Sequence, residues 1–184
     1  MDRIATIEER MQRVAERLPG MPVAESLLCR VIIMLGRVMA AHVDEVISPY
    51  QLNDVEFRTL LSLFSQPDGT GGPSDLCAGL AQSPATMTRI GDVLVARNLV
   101  TRVPNEQDRR RMDIRITPQG EALVREVLPR MFDYTRSLYQ DFSAAEKSRL
   151  LAALKKLFAQ LTIGEDETAH ADRAASTHAA GARS

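Results

Sequence analysis

Residues 83–120 read SPATMTRIGDVLVARNLVTRVPNEQDRRRMDIRITPQG. Ser83 is a favourable N-cap, because its hydroxyl can accept a hydrogen bond from an unpaired amide of the first helical turn. Pro84 suits the first helical position, where its missing N–H is not needed. The helix is expected to end near Asn98, a residue that tolerates the left-handed conformation of a helix end. The side chains expected to face the core are Met87, Ile90 and Leu94.

A β-hairpin is predicted directly after this helix. Residues 99–103 and 112–117 are strand-like, and the second segment alternates apolar residues with Asp113 and Arg115, which is the period of a half-buried strand. The sequence PNEQDRRR between them is a polar hairpin tip. From Arg97 to Arg115 there are six Arg and three acidic residues, whereas the net charge of the whole chain is −1. This segment is therefore a local positive patch on a chain that is not a polycation.

The order of short helix, turn, exposed helix start and Arg-rich hairpin favours DNA binding. A helix presented by its N-terminus fits the major groove, where its first turn reaches base edges. An Arg-rich tip can enter a minor groove, whose negative potential attracts guanidinium groups. Each element alone could equally be an ordinary solvated surface, but the combination favours a DNA-contacting unit. The predicted DNA contacts are Ser83, Pro84, Ala85, Thr86, Thr88, Arg89, Asp108, Arg109 and Arg110.

Two of these residues have an expected joint role. Asp108 is acidic and looks unsuited to a DNA surface. A carboxylate two residues before Arg110 can, however, hold a guanidinium fork in one orientation. Thr86 and Thr88 can offer either a hydroxyl or a methyl group to a base.

Three segments of this stretch resemble the MarR family of regulators: SPAT-x-TR, DRR and ITPQG. The resemblance extends over roughly residues 22–162. REVLP at 125–129, SAAEKSRL at 143–150 and the helix before Pro22 are similar to the branch that represses multidrug efflux pumps. It implies an obligate homodimer in which Arg110 enters the minor groove and Asp108 orients it. The resemblance also implies that the helix from Pro84 reads a palindromic operator. A small aromatic or phenolic ligand is then expected to release the protein from this operator.

The expected fold is mainly α with a small β wing, a winged helix-turn-helix carried on a helical dimerisation frame. Residues 23–47 are apolar apart from a stripe formed by Arg30, Arg37 and Asp44, so a second subunit is a natural cover. Asn53 and Glu56 resemble a capping box that opens a helix to Phe64.

A Gly/Pro loop is expected at 66–73, a helix at 74–81, a helix from Pro118 to about Phe142 bent near Pro129, and a last helix from Ser143 to about Leu161. The predicted division is an arm at 1–22, dimerisation helices at 23–50 and 118–163, a DNA-binding domain at 51–117 and a disordered tail at 164–184.

A ligand pocket is expected between the frame and the winged domain. Arg30 and Arg37 could pair with a carboxylate, or they could form surface or intersubunit ion pairs. His42 and Phe57 could contact an aromatic ring, or they could be ordinary core residues. Cys29 raises a redox-responsive alternative, although its apolar neighbours favour a buried and inert thiol.

Other functions find little support in the sequence. There is no paired-carboxylate, Ser/His/Asp or phosphate-loop pattern, so we expect no enzyme, and no His/Cys cluster, so we expect no metal or cofactor. Two cysteines and a charged N-terminus fit a cytoplasmic protein, and the strongest apolar run, 31–35, is too short for a membrane span. A helical adaptor and a ligand-independent DNA binder remain as alternatives.

Overall fold

The computed structural model describes residues 3–108 and 110–161. Arg109 and the predicted tail at 164–184 lie outside the described residues. The chain forms two compact units, one extending to Phe132 and the other beginning at Asp133.

Two helices open the first unit. Helix α1 comprises Arg3–Arg17 and helix α2 comprises Val23–Ile47, which confirms the predicted bounds of the long helix. A short 3₁₀ turn, Ser48–Tyr50, follows α2 because Pro49 cannot continue the α-helical hydrogen bonding. The turn ends at Gln51, which adopts the left-handed conformation with φ 55°.

Three helices then form the helix-turn-helix. They are α3 (Asp54–Phe64), α4 (Pro73–Leu80) and α5 (Pro84–Ala96). The predicted capping box of α3 is confirmed: Asn53 Oδ1 accepts from the Glu56 amide at 2.9 Å, and Glu56 Oε2 accepts from the Asn53 amide at 3.1 Å. These helices and their neighbours pack around one hydrophobic core. Its buried side chains include Phe57, Leu60, Leu63, Leu76, Met87, Ile90, Leu94 and Val124.

The wing belongs to a three-stranded antiparallel sheet in the order β1-β3-β2. Its strands are β1 (Thr70–Gly71), β2 (Val100–Pro104) and β3 (Met112–Ile116). The prediction that residues 66–73 form only a loop is wrong, because β1 lies within them and pairs with β3. A strand of two residues shows no alternation, so only its pairing partner reveals it.

The predicted alternation of β3 breaks at its first two residues. Met112 is 44% exposed, whereas Asp113 is only 9% exposed. Burial of Asp113 is compensated in part by Asn105, whose Nδ2 donates to Asp113 Oδ2 at 2.7 Å, while Asp113 Oδ1 has no hydrogen-bond partner among the described residues. Asp113 is therefore a structural acid of the wing and not a solvated one.

Helix α6 comprises Pro118–Leu138. It is helical through Pro129 and ends at Leu138, four residues before the predicted end at Phe142. The last helix, α7, comprises residues 144–161. Its predicted capping box is confirmed, since the Ser143 amide donates to Glu146 Oε2 at 2.9 Å and Ser143 Oγ accepts from the Glu146 amide at 3.3 Å.

Helix α2 exposes large apolar side chains that a single chain does not cover. Leu28, Ile32, Leu35 and Met39 follow the spacing i, i+4, i+7, i+11 and so lie on one side of the helix. Their exposed fractions are 62%, 36%, 56% and 40%. Residues Val23–Tyr50 are the one helical segment of the described residues that is long and apolar enough to cross a membrane. That finding corrects the expectation that no apolar segment reaches this length, which rested on the uninterrupted run 31–35 alone.

Candidate nucleic-acid interface

The first turn of α5 is built by local capping. Ser83 Oγ accepts a hydrogen bond from the Thr86 amide at 3.2 Å, and Pro84 occupies the first helical position, as predicted. Pro84, Ala85, Thr88 and Arg89 are exposed, and Thr86 is half-buried.

The inner face of α5 fixes which side of the helix is offered to a partner. Met87 and Ile90 are 1% exposed and Leu94 is fully buried, which confirms the predicted core face. Gly91 is also buried, and a Cβ at this position would lie 3.4 Å from Ile114 Cδ1. The helix therefore rests closely on β3, and its opposite side faces solvent from the first turn onward.

The hydroxyl groups of the first turn are already engaged. Thr88 Oγ1 donates to the Pro84 carbonyl oxygen at 2.9 Å, and the hydroxyls of Ser83 and Thr86 share a hydrogen bond of 2.9 Å. A thymine methyl group can pack on the Thr88 methyl without disturbing these bonds. Of the two contacts expected from threonine, the geometry thus favours the apolar one.

The wing tip is folded around Asn105. Asn105 Oδ1 accepts hydrogen bonds from the amides of Gln107 at 2.9 Å and Asp108 at 2.8 Å. Its own amide donates to the Arg111 carbonyl oxygen at 2.9 Å. The side-chain Nδ2 of Asn105 donates to the buried Asp113 carboxylate. The conformation of the wing tip therefore depends on the hydrogen bonds of Asn105.

Asp108 has a different partner from the one predicted. Its Oδ1 accepts from the main-chain amide of Arg110 at 3.1 Å, which closes an Asx turn. Within the described residues, Arg110 forms no ion pair with a carboxylate. Asp108 therefore positions the Arg110 backbone, and the guanidinium group remains exposed to solvent. The prediction for Arg109 lies outside the described residues.

Polar side-chain contacts join the wing to α5 and join two strands of its sheet to each other. Arg102 of β2 forms an ion pair with Asp92 of α5. Arg115 Nε donates to Thr70 Oγ1 at 2.8 Å, which joins β3 to β1. A polar cavity of about 600 Å³ lies beside this contact and is lined by residues that include Asp68, Asp75, Asn105 and Asp113.

The four predicted ligand residues do not meet in one pocket of a single chain. Phe57 is 1% exposed and belongs to the core, so its stacking role is wrong for the folded domain. Arg30 and Arg37 are exposed on α2. His42 is half-buried, with its Nδ1 3.5 Å from Glu45 Oε2. The expectation that Cys29 is buried is also wrong, since it is exposed in the single chain.

Sequence reasoning missed Asn105 and Arg97. Asn105 carried a detectable signal, because an Asn two or three residues before further polar residues is typical of an Asx turn. Arg97 carried none, since its guanidinium group donates to the carbonyl oxygens of Tyr50 and Gln51, which are 47 and 46 residues away.

A recognition helix presented by its N-terminus, followed by a folded Arg-bearing wing, defines a DNA-binding protein of the winged helix-turn-helix class. Residues 52–112 match the sequence profile of the MarR family. The chain is similar over this segment to the MarR family of transcriptional regulators, whose members are DNA-binding regulators and not enzymes.

Individual relatives agree with this assignment. The transcriptional repressor MprA of Escherichia coli (strain K12) is 29% identical over 161 residues, which cover 88% of this chain and 92% of MprA. Among solved structures, BpsR of Bordetella bronchiseptica has a TM-score of 0.61 and 25% identity, with 70% of this chain and 90% of BpsR covered. The Staphylococcus aureus MepR–DNA complex has a TM-score of 0.66 and 22% identity, with 74% and 95% covered, and it supports the fold.

Proposed function

We propose that this chain is a cytoplasmic transcriptional repressor that binds an inverted-repeat operator as a homodimer. The observation that carries the proposal is the exposed first turn of α5 beside a wing whose tip presents Arg110. MprA, which this chain resembles over most of its length, is a transcriptional repressor. The MepR structure shows that a protein of this fold binds DNA.

The apolar stripe of α2 supports the homodimer. Leu28, Ile32, Leu35 and Met39 would cost free energy if left in water, at roughly 25 cal/mol for each Å² of apolar surface. A second copy of the chain is a natural cover, because most oligomers of one chain are closed two-fold dimers. Burial of α2 against a second copy would also explain why this helix is apolar enough to cross a membrane although the proposed dimer needs no membrane. Two α5 helices related by a two-fold axis would read two half-sites about one helical turn apart.

A small aromatic or phenolic ligand is the proposed signal that releases DNA. The DNA binding of BpsR is regulated by 6-hydroxynicotinic acid, an aromatic acid. Arg30 and Arg37 are exposed cations of α2 that can pair with such a carboxylate. His42 is the third proposed residue of this site. Phe57 is not part of it, because its side chain is buried in the core.

An alternative signal is oxidation of Cys29, because this thiol is exposed. Under that alternative the protein would respond to peroxide and not to aromatic acids. A regulator that needs neither signal is the remaining possibility. A thermal-shift series with 6-hydroxynicotinic acid, and a gel shift before and after peroxide treatment, separate the three. Arg30→Ala/Arg37→Ala and Cys29→Ser are the matched variants for the two responses.

The test of DNA binding is selection of bound sequences from a random duplex library, followed by titration at several salt concentrations. We expect an inverted repeat to be enriched and log K to fall steeply and linearly with log[salt], because phosphate contacts dominate affinity. Enrichment of single half-sites, or binding that is insensitive to salt, would contradict the proposal. Placing the selected site upstream of a reporter gene then tests repression directly.

A further inference from the structure

Arg97 is the C-cap residue of the recognition helix α5. Its Nη1 donates to the Gln51 carbonyl oxygen at 2.6 Å, and its Nη2 donates to the Tyr50 carbonyl oxygen at 2.7 Å. Tyr50 is the last residue of the 3₁₀ turn that continues α2. One side chain therefore joins the end of the recognition helix to the end of the long frame helix.

The two hydrogen bonds of the Arg97 guanidinium group fix the orientation of this contact as well as its distance. Carbonyl oxygens at a helix end carry partial negative charge, which favours a cation. A planar guanidinium group with two parallel N–H donors fixes both distance and orientation, whereas an ammonium group fixes distance only. Arg97 is half-buried, and in the part of the chain that the structure describes it forms no ion pair with a carboxylate. The two carbonyl oxygens are thus the partners that hold it.

Tyr50 is held from a second side by α6. Its hydroxyl donates to Glu126 Oε1 at 2.9 Å, and the Arg130 guanidinium carbon lies 5.6 Å from its ring centroid. The hydrogen bond to Glu126 raises the pKa of Tyr50 above its ordinary value, so the hydroxyl remains a donor at neutral pH. The ends of α2 and α5 and the middle of α6 therefore meet at Tyr50.

Arg97 is too far from the DNA-facing turn to contact bases itself. From Pro84 to Ala96 the helix rises about 18 Å. Over that length, a tilt of about 10° about the Arg97 end moves the first turn by about 3 Å. This displacement is close to the step between base pairs, about 3.4 Å. A small change of angle at Arg97 is thus enough to shift the reading helix by one base pair.

We propose that Arg97 is a positioning residue that fixes the angle of α5 to α2, and through it the half-site spacing that the regulator accepts. The proposal rests on the homodimer and the inverted repeat proposed above. Arg97 acts through the recognition helix and makes no contact with bases.

The experiment measures affinity for inverted repeats whose central spacer is changed by one or two base pairs in either direction. The proteins are wild type, Arg97→Ala, Arg97→Lys and, as a matched control, Arg125→Ala. Arg125 is an α6 arginine that pairs with Glu121 and lies over the ring of Phe64 in α3, with its guanidinium carbon 4.8 Å from the ring centroid. We expect wild type and Arg125→Ala to lose about tenfold in affinity when the spacer changes by one base pair, a loss comparable to one mismatched pair.

Arg97→Ala is expected to bind all spacers within about threefold of one another, and Arg97→Lys is expected to fall between it and wild type. Tyr50→Phe, which keeps the carbonyl oxygen but loses the bond to Glu126, should loosen the preference more weakly. If Arg97→Ala does not fold, Arg97→Lys and Tyr50→Phe carry the test. Variants that bind uniformly more weakly but keep the wild-type spacer preference would overturn the inference alone. A wild type that binds single half-sites as tightly as inverted repeats would overturn the proposed function as well.

Discussion

Gly120 occupies a position where the backbone leaves no room for a side chain. A Cβ at this residue would lie 2.2 Å from the carbonyl oxygen of Leu99 and 2.8 Å from Ile116 Cγ1. The close approach follows from the start of α6, where the Gly120 amide donates to Thr117 Oγ1 at 3.1 Å and the same oxygen donates to the carbonyl of Asn98 at 2.7 Å. Thr117, which directly follows β3, thus links the residues after α5 to the first turn of α6 through its hydroxyl group.

Gly120→Ala is expected to lower the free energy of unfolding by about 3 kcal/mol, because backbone must move to relieve the contact. Urea unfolding followed by circular dichroism measures the change. Gly79→Ala is the control, since a Cβ at Gly79 in α4 meets nothing within 4 Å. That variant should be neutral or stabilised by up to about 1 kcal/mol. Equal stability of the two variants would contradict the packing argument.

Arg110→Ala is expected to weaken binding to the selected operator by about 100-fold, since each of two subunits loses roughly 1.4 kcal/mol. The slope of log K against log[salt] should also become shallower. Fluorescence anisotropy of a labelled duplex measures both quantities. Arg13→Ala, which removes an exposed arginine of α1, should bind like wild type. Unchanged affinity of Arg110→Ala would remove this residue from the interface.

Single residues were predictable from sequence where the requirement is local. Ser83 caps α5 as expected, and Asn98 is left-handed with φ 56°, because helix ends impose these conformations on any chain. Asp108 was assigned the wrong partner because the nearest donor is a backbone amide, which a residue pattern does not display. Arg97 and Phe57 depend on distant neighbours, so only the folded chain shows their roles.

At the scale of elements, the start of α7 depends on one ionised side chain. Hydrogen bonds from the Ser143 hydroxyl and amide lower the pKa of Glu146 below its ordinary value. A carboxyl whose folded pKa is lowered stabilises the helix above its unfolded pKa, and the contribution is lost as the pH falls through the folded pKa. The cap should therefore hold at neutral pH and open in acid.

We expect the Glu146 carboxyl to titrate below the usual range in an NMR pH series. The Ser143 amide, which donates to Glu146 Oε2, should lose protection from hydrogen exchange over the same range. Glu146→Gln is the control, because its amide oxygen still accepts hydrogen bonds but does not titrate between pH 2 and 7. Loss of protection at the same pH in both proteins would mean that another group opens the cap.

Whole elements were predictable where periodicity is long. The apolar spacing of α2, α3 and α5 and their caps gave bounds within one or two residues of those observed. The strand β1 was missed because its two residues take their conformation from β3 and from no pattern of their own. The end of α6 at Leu138, and the burial of Asp113, likewise depend on contacts that the local sequence does not encode.

At the scale of the whole molecule, the proposed homodimer uses the exposed apolar side of α2. Leu35→Glu places a charge in the middle of the apolar stripe. We expect this variant to be monomeric and to lose operator affinity, because a buried unpaired carboxylate would oppose association. Size-exclusion chromatography with light scattering measures the mass.

Ala41→Glu introduces the same charge on the same helix, one turn after Arg37 on the polar stripe, and should remain dimeric. Dissociation of both variants would mean that the polar stripe is also covered. If α2 instead crossed a membrane, wild type would sediment with membranes and need detergent for extraction, and neither variant would inform on a soluble dimer.

The two-residue strand β1 has a consequence for protein engineering. Because Thr70 and Gly71 precede α4 yet pair with Arg115 and Ile114, the edge partner of β3 is encoded between α3 and α4, ahead of the recognition helix. A chimera that transplanted only residues 83–116 onto a relative would separate the hairpin from its own edge strand. A specificity cassette taken from this regulator should therefore span residues 51–117 and be exchanged as one piece.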